Sequence, residues 1–164
     1  MNAEEVKPIE TKRIAGLCFL ASLLLASYAV VRPASESLFL DVHGSGSLMN
    51  VWILVAIVVC FVVPTFNRWS HRRNLIRVFS ITCLICAGLL SVLLVLLAQD
   101  VPGAHYALYI WKDIYIIILV ETFWSLANVV FAIKDAKKTY GLFCASGAVG
   151  GLVGNFGGGE LAQI

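Results

Sequence analysis

Charged residues are what this sequence lacks most. Asp, Glu, Lys and Arg make up 13% of its 164 residues, about half of the roughly 25% that is typical of globular proteins, whereas 60% of the residues are hydrophobic. A water-soluble domain needs more polar surface than this composition provides. The sequence therefore predicts an integral membrane protein whose partner is the lipid bilayer. We expect no nucleic acid as a partner.

Motifs for common chemistry are also missing. The glycine-rich segment near the C-terminus has no Gly-Lys-Ser/Thr ending, which excludes a phosphate-binding loop of the usual kind. Cys83 and Cys86 have the C-x-x-C spacing, but they lie in apolar sequence without a nearby His, which favours packing over metal binding. We therefore expect no enzyme activity, no metal site and no cofactor.

Long apolar runs dominate what is present. Each is close to the roughly 20 residues that a helix needs to cross the hydrocarbon core of a bilayer. A closed barrel is disfavoured because these runs are too long and too uniformly apolar for barrel strands. We expect an all-α membrane protein with a cytoplasmic segment at 1–13 and a helical membrane domain at 14–164. Its five predicted transmembrane spans are 14–40, 48–66, 75–98, 108–133 and 139–162.

Basic residues are distributed unevenly between the two sides of these spans. Ten of the twelve Lys and Arg residues lie before span one or around the connections that follow spans two and four, and the segments 41–47 and 99–107 contain none. Cytoplasmic loops carry this excess of basic residues. The pattern predicts a cytoplasmic N-terminus, and we expect a bacterial inner membrane. Five spans with a glycine-rich end also favour an incomplete chain, either a fragment or a truncated gene.

Charges within the apolar runs are the candidate functional residues. Arg32 and Glu36 are four positions apart, so on a helix they share a face and can pair. Pro33 lies between them and favours a kink that would expose a carbonyl group beside both charges. We favour an interior site for a charged solute. The alternative is that span one ends at Val31 and that Arg32 extends to the outer membrane surface.

A second polar feature lies in span four. Glu121, Ser125 and Asn128 follow one another at helical spacing and form a polar stripe in an otherwise apolar run. Such a stripe favours a cavity or the interior of the helix bundle over lipid. We favour the lining of a transport pathway, and hydrogen bonding between helices is the alternative.

Lys112 and Asp113 lie near the predicted start of span four. Charges at that position are usually solvated at the membrane surface, and the neighbouring Tyr109 and Trp111 are typical of an interfacial aromatic belt. We therefore interpret Lys112 and Asp113 as interfacial anchors.

Three segments carry a resemblance to a known family: Tyr28–Leu40, Phe123–Asn128 and Asp135–Phe143. In these segments the sequence resembles the N-terminal half of the ATP/ADP translocases of intracellular bacteria and plastids, a family similar in fold to the major facilitators. The turn that begins at Asn67-Arg68 also loosely resembles the basic turn of the major facilitators, with Asn67 in place of the usual acidic residue.

The resemblance implies an antiporter that exchanges ATP for ADP by alternating access, in which this chain supplies the N-terminal half and a missing C-terminal half is the partner. Arg32 and Glu36 match the first basic and the acidic residue of the family's span-one motif, whereas Ser35 replaces its second basic residue. The alternatives are a major-facilitator-like transporter of another small polar solute and a truncated membrane protein that transports nothing. The expected solute-binding residues are Arg32, Glu36, Glu121 and Asn128.

Overall fold

The described part of the chain forms five α-helices. The computed structural model describes residues 3–70, 73–130 and 136–161, with side chains described for 11–70, 73–129 and 139–159. A 3-10 turn, Ser45–Ser47, links α1 to α2, and the described residues contain no strand. The predicted all-α class and the number of helices are confirmed. The helices are α1 Ala3–His43, α2 Leu48–Ser70, α3 Leu75–Ala98, α4 Ala104–Val130 and α5 Ala136–Leu161.

Three segments within the described residues are long and apolar enough to cross a membrane: Thr11–His43, Ser45–Ser70 and Leu75–Ala98. They support an integral membrane protein. α4 interrupts its apolar sequence with Lys112, Asp113 and Glu121, and α5 is rich in glycine. That α4 and α5 also cross the bilayer stays a prediction.

Helix α1 passes Pro33 without ending. It is 41 residues long and reaches His43, so the helix itself does not end at Val31, and where its membrane span ends stays a prediction. Pro33 has no N–H group to donate to the preceding turn. The hydroxyl of Ser35, two residues further on, donates to the carbonyl oxygens of Val31, at 2.6 Å, and Arg32, at 3.1 Å. Local side-chain hydrogen bonds therefore satisfy carbonyl groups beside the proline.

The connections that follow α1 and α3 are short, and each contains a glycine with a positive φ angle. Gly44 follows α1 with a φ angle of +67°, and Gly103 precedes α4 with +85°, both in a region that favours glycine. Asn74 caps α3, because its side-chain oxygen accepts from the backbone N–H groups of Ile76 and Arg77. The predicted span 75–98 coincides with α3, whereas α4 begins four residues before the predicted 108.

The chain divides into two compact units. Unit 1 comprises Met1–Val30 and Ala127–Ile164, and unit 2 comprises Val31–Leu126. In unit 2, Phe39, Val51 and Tyr109 form a fully buried apolar cluster that joins α1, α2 and α4. The indole N–H of Trp52 donates to the Tyr109 hydroxyl at 2.8 Å, which satisfies that buried polar group.

In unit 1, α1 and α5 approach each other at backbone distance. A Cβ atom added at Gly154 would lie 2.5 Å from the carbonyl oxygen of Ala26, and one at Gly150 would meet the backbone of Ser22 even more closely. The Ser22 hydroxyl also donates to the carbonyl oxygen of Ser146 at 2.7 Å. The glycine spacing of α5 thus serves close helix packing against α1, as small residues do in membrane proteins.

Candidate functional site

Lys112 is the most deeply buried charged residue that the structure describes. Its side chain is 3% exposed, and its ammonium nitrogen lies 3.1 Å from Oδ1 of Asp113 and 3.3 Å from Oε1 of Glu36. The same nitrogen lies 4.2 Å from the centre of the Tyr109 ring, within the range of a cation–π interaction. Helices α1 and α4 thus hold one cation against two carboxylates and an aromatic face.

Glu36 is shared between two cations. Its Oε1 atom accepts from Nε of Arg32, one helical turn earlier, at 3.2 Å, as well as from Lys112. The predicted pairing of Arg32 with Glu36 is therefore confirmed. The two cations differ in their surroundings, because the Arg32 side chain is 57% exposed whereas that of Lys112 is enclosed.

The interpretation of Lys112 as a solvated interfacial anchor is wrong. α4 begins at Ala104, so Lys112 lies eight residues, or about 12 Å, into the helix rather than near its start. Tyr109 is likewise enclosed by protein, since it is 2% exposed. A buried ammonium group needs oxygen partners nearby, and Glu36 and Asp113 supply them.

Glu121 has a different partner within unit 2. Its Oε1 atom accepts from the side-chain amide of Asn67 on α2 at 2.6 Å. This contact joins α2 to α4, as the alternative of hydrogen bonding between helices requires. Nine residues of α4 separate Glu121 from Lys112, which corresponds to about 13 Å along the helix axis. Lys112 and Glu121 therefore lie at different positions along the axis of α4.

Asn128 lies in unit 1 and is exposed. Its side-chain oxygen accepts from the hydroxyl of Tyr140 on α5. In the predicted stripe, Glu121 is therefore hydrogen-bonded within unit 2 and Asn128 within unit 1.

The structure brings together two of the four predicted site residues, Arg32 and Glu36. Lys112 and Asp113 complete their cluster, and the sequence had indicated them only as anchors. The signal that could have found Lys112 is its spacing from Tyr109 on α4, which predicts contact between the two side chains on a helix. Its partner Glu36 lies on another helix, and no local spacing connects the two.

The cluster is electrically balanced. Two cations, Arg32 and Lys112, face two carboxylates, Glu36 and Asp113. A phosphate or carboxylate of a solute offers the same kind of oxygen to Lys112 as the protein's own carboxylates do. Lys112 is therefore a cation of the chemical type that binds such anions. No group of three side chains suited to a metal ion occurs in the part of the chain that the structure describes.

Comparison with family models, curated proteins and solved structures finds no match to this chain.

Proposed function

We propose that the chain is part of a membrane transporter that exchanges nucleotides, ATP against ADP, by alternating access. The observation that carries this proposal is the enclosed ammonium group of Lys112 between the carboxylates of Glu36 and Asp113. An ionisable group among apolar helices is costly, and membrane proteins keep such groups mainly on solute and ion pathways.

The cluster supports recognition of an anion by exchange of partners. A phosphate oxygen that contacts Lys112 replaces a carboxylate of Glu36 or Asp113. Arg32 already lies at 3.2 Å from Glu36, so it remains a partner for that carboxylate when Lys112 turns to the solute. Binding would then change the contacts between α1 and α4, which is the kind of rearrangement that alternating access needs.

The sequence resemblance supports a nucleotide as the solute. Its motif requires two basic residues near the acidic one, and Ser35 occupies the position of the second. In unit 2 the ammonium nitrogen of Lys112 lies 3.3 Å from Glu36 and provides a second cation there. A major-facilitator-like arrangement, with the chain supplying the N-terminal half, belongs to the same proposal.

Exchange across proteoliposomes tests the proposal directly. The protein expressed from its whole reading frame is reconstituted with unlabelled ADP inside, and uptake of labelled ATP is measured. We expect uptake that requires internal nucleotide, is abolished by Lys112→Met and is partly retained by Lys112→Arg. Lys12→Met removes an exposed lysine and is the matched control. Uptake that is independent of internal nucleotide, or unchanged in Lys112→Met, would contradict the proposal.

A second candidate is transport of a different organic ion by a major-facilitator-like protein. The electrical balance of the cluster favours it, because a nucleotide carries several negative charges and the four groups supply no net positive charge to meet them. A zwitterionic solute needs one cation and one carboxylate, and Lys112 with Glu36 offers both. The labelled solute decides between the two, since uptake of labelled amino acids without uptake of labelled ATP is expected only in the second case.

A further inference from the structure

An open apolar groove lies on unit 2 at the end of α2 that carries the basic turn. Its volume is about 480 Å³, within the range of ligand pockets in proteins. The groove is lined by Phe61, Val62, Thr65, Phe66 and Trp69 of α2 and by Ile118 of α4.

Two arginines are close to the lining residues of this groove, Arg68 by its position on α2 and Arg73 by contact with Trp69. Arg68 follows Phe61 by seven residues and Thr65 by three, so on a helix it lies on their side of α2, one turn beyond Thr65. Arg73 stacks on Trp69, with its guanidinium carbon 4.8 Å from the centre of the ring. Within the described residues, no carboxylate forms an ion pair with Arg68 or Arg73. The nearby carboxylate of Glu121 is engaged by Asn67 instead.

We propose that this groove binds one acyl chain of an anionic phospholipid, whose headgroup phosphate is held by Arg68 and Arg73. A phospholipid fits because its acyl chain matches the apolar groove and its phosphate matches the two arginines. Apolar side chains form the groove, and near the end of α2 follow two arginines that have no ion pair among the described residues. Arginine binds phosphate through paired N–H groups, and basic clusters beside transmembrane helices recognise anionic lipids.

The site is separate from the Lys112 cluster. Trp69 supplies both an apolar wall of the groove and a platform for Arg73, so the side chain of one residue fixes the distance between acyl chain and headgroup. Lipid binding here does not depend on which solute is transported, and its test requires no transport activity.

Native mass spectrometry of the full chain in mild detergent tests the proposal. The probes are phosphatidylglycerol and phosphatidylcholine with identical acyl chains, and glycerol phosphate represents the free headgroup. We expect one phosphatidylglycerol molecule to be retained at least tenfold more tightly than phosphatidylcholine, and no retention of glycerol phosphate. Equal retention of the two lipids, or binding of glycerol phosphate alone, would overturn the proposal.

Matched variants separate a built site from general attraction between charges. Each basic residue near an anionic membrane surface contributes about fivefold to binding, so Arg68→Gln with Arg73→Gln should weaken retention roughly 30-fold. Lys12→Gln with Arg13→Gln removes the same charge from exposed positions in unit 1 and should leave retention unchanged. An equal loss in both double variants would refute a site at the groove. Thr65→Phe keeps both arginines and fills the groove, so it should also weaken retention, and full retention would exclude the acyl-chain position.

Discussion

The ammonium nitrogen of Lys112 lies 3.3 Å from Oε1 of Glu36, although 76 positions separate the two residues in the chain. The contact joins α1 to α4 inside unit 2. Glu36 is one-third exposed, so water can solvate its charge, whereas Lys112 is enclosed. The charge of the lysine therefore needs the carboxylates more than their charges need the lysine.

Removing the lysine and the glutamate separately and together should reveal this dependence. Breaking a buried ion pair on one side leaves an uncompensated charge and costs about 3–5 kcal/mol, and the partial exposure of Glu36 reduces the expected cost to about 2 kcal/mol. We expect Lys112→Met and Glu36→Gln each to lower the midpoint of thermal unfolding in detergent. The double variant should lose less than the sum of the two losses. Strictly additive losses would show that the pair does not stabilise the fold.

Two substitutions at Glu121 should differ in their effect on the unfolding temperature. Glu121→Gln keeps an oxygen that accepts from the Asn67 amide, whereas Glu121→Leu removes it. Hydrogen bonds between membrane helices contribute about 0.6 kcal/mol on average, so the Leu variant should unfold at a lower temperature and the Gln variant should not. If Glu121 serves transport through its charge, both variants should lose uptake. Normal uptake in the Gln variant would assign Glu121 to helix packing alone.

The sequence predicted the helices better than the contacts between them. The predicted span 75–98 coincides with α3, because a long apolar run by itself indicates a helix there. The predicted start of span four, 108, lies four residues after the observed start of α4. The late start placed Lys112 near the entrance of the span and favoured a solvated lysine there. The sequence did not predict the pairing of Lys112 with Glu36. This contact depends on how α1 packs against α4, and no regular spacing in the sequence connects residues on two different helices.

Alanine substitutions along α5 should distinguish its two kinds of glycine. A Cβ atom at Gly154 would lie 2.5 Å from the backbone of Ala26, whereas one at Gly151 would meet nothing within 4 Å. Overpacking costs about 1–3 kcal/mol, so Gly154→Ala should lower the midpoint of thermal unfolding markedly. Gly151→Ala is the control and should be neutral or slightly stabilising, because alanine favours helix over glycine. Equal midpoints for both variants would show that α1 and α5 move apart without cost.

Pro33 offers a test of why a proline occurs inside α1. A proline within a helix costs about 3 kcal/mol relative to alanine, because it lacks an N–H group and its ring crowds the preceding turn. The side chain of Pro33 is exposed, so Pro33→Ala leaves no cavity and should raise the unfolding midpoint. It should also slow amide hydrogen exchange in the turn that contains Arg32 and Glu36.

The same variant tests whether the proline positions the charges. If the altered turn aligns Arg32 and Glu36 for a solute, Pro33→Ala should reduce uptake while it increases stability. Ser35→Ala is the matched change, since it removes the hydroxyl that donates to the carbonyl oxygens of Val31 and Arg32 but keeps the proline. It should speed exchange in that turn. A stabilised Pro33→Ala protein with normal uptake would mean that the proline shapes α1 without serving the site.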